Sequence, residues 1–379
     1  MSSRADTLLG AVSKSSRIIE IGPCFDPIAP KSKGWNSASI DHLTREGLAA
    51  KYETHPGIDV SLIEPVDFVW TGGMLSDAVP PEQHGQFDVF LASHVIEHTP
   101  DLIAFLDAAQ TLLKQDGVVI LAVPDKRFCF DYFQPPTTTG QVLQASARHR
   151  TQHSGERAFD HFAYAVTDGG SEAWGQRPSQ GLRLIHRLED AAQEYSGYEN
   201  SPHYRDLHAW HFVPSSFELL LLELGRLGET DWQVERVKAT AGWEFFAWLR
   251  RGAGARIGSM SAEELDRQRV ALLKRSLLET QAQIDYLLAS EPELATEQSG
   301  LSIWATPMKY QAATAALEQC QDRLVATETR LLATETLYAT AMQRIAALEA
   351  STSWRATAPF RSFLDRMRRT AGASFRAAK

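Results

Sequence analysis

One stretch constrains the fold more than any other, Phe87 to Pro124. It opens on an apolar run, FDVFLAS, passes through HVIEH into DLIAFLDAAQTLLK, and closes on GVVILAVP. Leu102, Phe105, Leu106, Ala109, Leu112 and Leu113 recur at helical spacing, so the middle reads as an amphipathic helix between two buried strands. Two strands joined through a helix run parallel, with a right-handed crossover. The same rhythm precedes them. RIIEIG, ASID and VDFVW are short β-branched runs bounded by Gly, Pro or Asp, as expected of parallel strands buried on both faces. After HAWHFV, a helix is expected to start at Pro214 and Ser215 and continue over Leu219 to Leu227. WQVERVKA and WEFFAWLRR then read as a closing pair of strands. The span from about Arg17 to Gly252 is therefore expected to be an α/β sheet domain.

Composition narrows the function. The chain has 379 residues, of which 44% are hydrophobic and 22% charged, enough to bury a core. Cys24, Cys129 and Cys320 are too far apart for a disulfide framework or a thiolate metal site. A net charge of −9 argues against coating nucleic acid, so no nucleic-acid partner is expected. No apolar run approaches the roughly 18 residues of a spanning helix. The apolar stretch at the N-terminus is too short for a signal peptide. A cytoplasmic location follows as the expectation.

The first strand enters a turn, RIIEIGPCFDP. Turns of this kind, ahead of a helix in an α/β sheet, hold nucleotide-like ligands. A dinucleotide needs three glycines for its pyrophosphate, and only Gly22 is present. S-adenosylmethionine has no phosphates and needs less, a glycine beside an acid such as Glu20. Asp41 ends the next strand, where a carboxylate can accept both ribose hydroxyls. Gly73 and Met74, in VWTGGML, suit the edge of an adenine pocket, although a simple loop explains them equally well.

With FDVFLASHVIEH the sequence resembles the class I S-adenosylmethionine-dependent methyltransferases, in the subgroup whose fourth strand runs into H-V-[IL]-E-H. The resemblance covers roughly Ser16 to Arg251. It implies a Rossmann-like sheet with an antiparallel final strand near Trp243 to Leu249, and S-adenosylmethionine as cofactor. It implies cofactor contacts at Glu20, Gly22, Asp41, Ser93 and His94, with Glu97 and His98 completing the motif. Pro23 and Phe25 replace glycines that are usual in the family's first motif.

Residues 126–207 break the rhythm. They are long, polar and rich in His, Gly and aromatics, and read as a substrate or lid insertion after strand five. Seven of the 12 histidines lie between His149 and His211. A histidine can take the proton of an acceptor hydroxyl during methyl transfer, so His161, His208 and the neighbouring Asp160 are the catalytic candidates. Any single histidine among them is more readily a structural hydrogen-bonding residue. Asp206, His208 and His211 are plausible metal ligands by type, but the run lacks a helical i, i+4 histidine pair, and no metal is expected. Asp125, His98 and Trp210 are the substrate-contact candidates. Asp125 follows strand five, where such folds open toward the acceptor. Trp174, Trp210, Tyr132 and Phe133 could stack on a sugar face or simply fill the core.

Beyond Gly252 the composition shifts. Residues 253–309 read as a linker and a helix, with Ser261 to Leu288 charged and Leu-rich. Residues 310–350 carry a repeat of period seven, RLVATET, RLLATET, LYATAMQ, RIAALEA, which implies a left-handed coiled coil and a homo-oligomer or helical partner. Residues 351–379 hold seven basic residues against one acid, Asp365, and so carry +6. Phe360, Phe363, Leu364 and Met367 fall on one face of this tail, as in helices that lie on anionic membranes. STSWRATAPFR looks like the segment ending coiled coils in bacterial glycosyltransferases and polysaccharide-assembly proteins. Together these point to O-methylation of a surface-glycan sugar at the inner membrane face. The alternatives are a small-molecule or protein methyltransferase dimerised by its coil, or a non-catalytic scaffold.

Overall fold

The computed structural model describes residues 4–55, 57–175, 181–198 and 204–290, together with 334, 340–344 and 347. Five strands run parallel: β1 (Ile18–Ile21), β2 (Ser37–Asp41), β3 (Phe68–Val69), β4 (Phe87–Ser93) and β5 (Leu113–Pro124). The insertion adds a small antiparallel sheet, β6 (Val166–Asp168), β7 (Ser171–Glu172) and β8 (Leu182–Leu184). β9 (Trp232–Ala239) and β10 (Glu244–Arg251) close the main sheet, and β10 lies antiparallel to β5. The order across the main sheet is β3-β2-β1-β4-β5-β10-β9. This is the α/β, Rossmann-like architecture expected, with the antiparallel final strand where WEFFAWLRR places it.

The helices are α1 (Arg4–Leu9), α2 (Arg45–Tyr52), α3 (Leu102–Leu112), α4 (Thr139–Ala147), α5 (Gly155–Tyr164), α6 (Leu188–Tyr198), α7 (Pro214–Leu227), α8 (Ala253–Arg256) and α9 (Ala262–Ser290). Their ends follow local chemistry. Asp101 caps α3 by accepting from the Ala104 amide at 3.1 Å. Pro214 stands at the start of α7, where its missing N–H is harmless, and Gly228 ends it in the left-handed region at φ 78°.

Alternation along the strands divides the core in two. Ile19, Ile21, Phe90, Ala92, Val119 and Leu121 face α3 and α7, where they meet Leu106, Phe217 and Leu221. Ile18, Val89, Leu91, Val118 and Ile120 face the other way, beside Leu8, Leu9 and Trp248. Each large apolar side chain fully buried in these layers contributes about 1.5–3 kcal/mol. β5 begins irregularly, with Lys114 to Asp116 exposed, and its register against β4 shifts before Val118. Gly117 makes that shift possible: a Cβ there would lie 2.9 Å from Leu113 Cβ and 3.0 Å from the Lys114 carbonyl oxygen.

The insertion leaves and re-enters the sheet at one place, because Phe212 pairs with Asp125 in an isolated parallel bridge. Whatever precedes Phe212 is thereby returned to the C-terminal edge of β4 and β5.

The chain divides into two compact units, Met1–Thr296 and Glu297–Lys379. α9 belongs to the first, beyond the boundary at 252 that composition suggests. Leu272 is buried against Leu222 and Ile257, and Glu279 accepts from the Ser215 hydroxyl at 2.8 Å. In the second unit, the described residues 334, 340–344 and 347 are helical. The rest of the expected coiled coil at 310–350, and all of the basic tail at 351–379, lie outside the described residues. Among the described residues no helix is long and apolar enough to cross a membrane.

Candidate functional site

Of the expected cofactor residues, Gly22, Asp41, Ser93 and His94 gather at the C-terminal ends of β1, β2 and β4. Gly22 follows β1 with φ 60°, and a Cβ on it would come within 3.2 Å of Val95 Cγ2. Only glycine leaves the backbone open there, which suits a ligand passing close to the main chain. Cys24 holds a left-handed φ of 46° and donates its amide to Asp41 Oδ2 at 3.0 Å. Asp41 is buried, and its Oδ1 accepts from the His42 amide at 2.8 Å and faces His42 Nδ1 at 2.6 Å. Asp41 therefore ties the first two strand ends together.

Glu20 is turned away from this edge. It is 3% exposed and accepts from the Ile28 and Ala29 amides at 2.6 and 3.1 Å. Burial pushes its carboxyl up to about 7 against the pull of those two amides. Its position is that of a latch on the loop after β1. Gly73 and Met74 lie in an exposed turn after β3, where the Trp70 indole donates to the Gly73 carbonyl at 3.3 Å.

The end of β4 carries an ionic chain that spacing alone does not reveal. Ser93 Oγ accepts from Arg4 at 2.5 Å, and Arg4 pairs with Glu244 at 2.7 Å. His94, at φ 54°, brings Nε2 to 3.0 Å from Glu244 Oε2. Arg4 comes from α1 and Glu244 from β10, so three distant segments meet at this strand end. Non-glycine residues at positive φ cluster at ligand sites, and both Cys24 and His94 are of that kind. The His94 ring stands 5.9 Å from Trp174, which is 6.3 Å from the half-exposed Trp243.

Glu97 follows in the turn after β4. It is 1% exposed, and neither carboxylate oxygen has a hydrogen-bond partner. Three imidazole nitrogens surround Oε1 beyond hydrogen-bond reach: His94 Nδ1 at 3.8 Å, His98 Nε2 at 3.7 Å and His208 Nε2 at 4.0 Å. An acid stands close to the far nitrogen of each of the last two rings. His208 Nδ1 is 2.5 Å from Asp131 Oδ2, and His98 Nδ1 is 2.8 Å from Asp206 Oδ1. Burial pulls the His98 imidazole down, but Asp206 and Glu97 more than offset it and its pKa is raised. Asp131, buried beside His208 and His211, is held well below the usual carboxylate range by those two rings despite its desolvation.

The structure thus joins His98 and His208, which sequence places 110 residues apart, around a carboxylate that the motif contained but to which no role was attached. His161 lies next to them: its Nδ1 accepts from the His208 amide at 3.3 Å, and burial lowers its pKa to about 4. That bond occupies the nitrogen lone pair a base needs. Asp160 is half-buried on α5, and burial raises its pKa.

Two expected substrate contacts are engaged elsewhere. Asp125 is 2% exposed, with Oδ1 accepting from Arg127 Nε at 2.8 Å and Oδ2 from the same guanidinium at 2.5 Å. It closes the strand end instead of opening toward an acceptor. Trp210 is 3% exposed and its indole N–H donates to the Thr99 carbonyl at 2.6 Å, so neither face is free for a sugar. Asp131, Glu244 and Arg4 went unnoticed in the sequence because no spacing links them to the motif.

A family model described as a methyltransferase domain matches residues 13–195. No curated protein matches the chain. Among solved structures, the chain is similar to one titled a putative S-adenosylmethionine-dependent methyltransferase from Listeria monocytogenes, at 13% identity and TM-score 0.33, over 65% of this chain and 96% of that one. It is similar to the CcbJ methyltransferase from Streptomyces caelestis at 12% identity and TM-score 0.35, over 65% and 94%. A structure titled as putative Zn-dependent alcohol dehydrogenases from Rhodobacter sphaeroides gives 14% identity and TM-score 0.37, over 66% and 91%. These three likenesses are distant and bear no weight here. The methyltransferase-domain model thus matches the part of the chain that holds β1 to β8 and the open turn at Gly22.

Proposed function

We propose that this methyltransferase places its methyl group on a hydroxyl oxygen of a sugar in a bacterial surface glycan, working at the cytoplasmic face of the membrane. In this reading residues 1–252 are the core of the catalytic domain and 126–207 the substrate insertion. Residues 310–350 serve as the oligomerising coil, and 351–379 hold the enzyme to anionic lipid. The +6 tail and its apolar face support the address. The half-open aromatic wall of Trp174 and Trp243 beside His94 supports a sugar-like acceptor.

Gly22, Asp41, Ser93 and His94 are the residues that hold S-adenosylmethionine, with Gly73 and Met74 at its rim. The cofactor supplies an electrophilic methyl group. The chain's own work is to align the acceptor and to manage its proton. The acceptor oxygen forms the new O–C bond as the C–S bond breaks with its electron pair staying on sulfur. The hydroxyl proton is lost at the Glu97, His98 and His208 cluster. One observation carries this reading: Asp131 holds His208 Nδ1, which leaves Nε2 facing Glu97 at the end of β4. His161, whose ring nitrogen is bonded to the backbone, is the weaker candidate.

The test is transfer of a labelled methyl group from S-adenosylmethionine to a lipid-linked glycan fraction. Label in that fraction, lost on mild removal of O-methyl sugars, is the expected result. Label only in soluble small molecules or in protein would sink the glycan reading and favour a coil-dimerised enzyme with another acceptor.

A further inference from the structure

The unpartnered carboxylate of Glu97 is anomalous. A buried charge is ordinarily paired and hydrogen-bonded. Here both oxygens lack a partner although three imidazoles stand around them, and none has closed to hydrogen-bond distance. Single donor atoms of Glu97, His98 and His208 all lie within 4.8 Å of one another. Donors set about 2.1 Å from a common ion lie roughly 3 to 4.2 Å apart. The separations of 3.7 and 4.0 Å from Glu97 Oε1 to the two Nε2 atoms fall in that range.

The outer nitrogens give an independent sign. Metal-bound histidines characteristically donate their other N–H to a carboxylate, which fixes the tautomer and aims the ligating nitrogen. His208 has Asp131 in that place at 2.5 Å, and Asp206 stands 2.8 Å from His98 Nδ1. The second His-containing group in the described residues, Cys24, Asp41 and His42, differs. There Asp41 is already bonded to His42 and to the Cys24 amide, and no orphaned oxygen remains.

We infer that Glu97, His98 and His208 form a binding site for one divalent transition-metal ion. Two imidazoles and one carboxylate suit Zn²⁺ or Mn²⁺ better than Mg²⁺ or Ca²⁺, which favour an all-oxygen shell. The inference deepens the proposed function and rests on it for its consequence. An ion here leaves positions for an acceptor with two neighbouring oxygens, such as a vicinal diol. It would take over from the His208 imidazole the lowering of the hydroxyl's proton affinity.

The experiment is calorimetric titration of the full chain, first stripped with chelator, with Zn²⁺ and separately with Mn²⁺. One ion per chain is expected. His98→Gln and Glu97→Gln are each expected to weaken binding at least 100-fold. Asp131→Asn, which removes no ligand but loosens the hold on His208, should weaken it about 10-fold. Circular dichroism selects the variants that fold, and any one of the three suffices for the comparison. A parallel titration with S-adenosylhomocysteine reads the donor site separately. No ion bound, or an ion bound equally well by His98→Gln and Glu97→Gln, overturns the site even where S-adenosylhomocysteine binds normally. Ion binding without S-adenosylhomocysteine binding keeps the site and overturns the methyl-transfer reading.

Discussion

The ends of β2 and β4 lie on the same sheet edge, and each carries a buried carboxylate, yet the two are treated in opposite ways. Asp41 is satisfied by the chain itself, through the Cys24 amide and His42. Glu97 is surrounded by potential partners and bonded to none. A satisfied carboxylate rigidifies the turn it spans, whereas an unsatisfied one costs stability that only a ligand recovers. In the function proposed above, the first strand end is preorganised for the methyl donor and the second is kept for the acceptor and its proton.

That contrast is sharpest in His208→Gln. Loss of about 10³-fold in kcat, about 4 kcal/mol, is expected with S-adenosylhomocysteine affinity unchanged. Steady-state kinetics with calorimetry checks it, and a loss of donor affinity with kcat preserved would erase the division between the two edges.

Lys126 is a buried charge on the insertion side that the chain does satisfy, with Nζ donating to Gln283 and to the Tyr132 carbonyl at 2.9 and 3.2 Å. Burial lowers its pKa from 10.5 to about 8. The fold therefore disfavours its charged form. The full cost applies below pH 8 and disappears as pH rises toward the unfolded value of 10.5. Stability should rise between pH 8 and 10 by up to about 3 kcal/mol relative to a Lys126→Met variant. Denaturant melts of both proteins across that range read the difference; a flat difference would mean Lys126 is not desolvated.

The direct comparison pairs Asp41→Ala with Glu97→Gln in metal-free protein. The first strands the Cys24 amide and should lower stability by about 2 kcal/mol. The second removes an orphaned charge and should be neutral or stabilising by about 1 kcal/mol. Equal losses in urea melts would show that both carboxylates are structural. A smaller loss than that of Asp41→Ala is expected from Gly22→Ala, where a crowded Cβ at positive φ weakens S-adenosylhomocysteine binding about 10-fold, about 1.4 kcal/mol, leaving the acceptor cluster intact.

Much of the fold was legible residue by residue. FDVFLAS is β4 and WQVERVKA is β9, each to the residue; GVVILAVP ends β5; and α3 and α7 start where Asp101 and Pro214 announce them. Regular elements declare themselves because their periodicity is local. The insertion did not: β6, β7 and β8 have three, two and three residues, too few to establish an alternation. Of the site, Gly22, Asp41, Ser93, His94 and His98 could be placed from the strand ends, and His208 from the histidine enrichment. Asp125 and Trp210 could be located but not read, because burial and the Arg127 and Thr99 contacts depend on distant segments.

By itself the sequence determined the strand rhythm, the motif after β4 and the charge of the tail, all set by neighbours within a few residues. Only the tertiary structure decided that Asp131 would grip His208 and that His98, His208 and Glu97 would converge. Those contacts span up to 111 residues. They exist because the Phe212–Asp125 bridge returns the insertion to the edge it left.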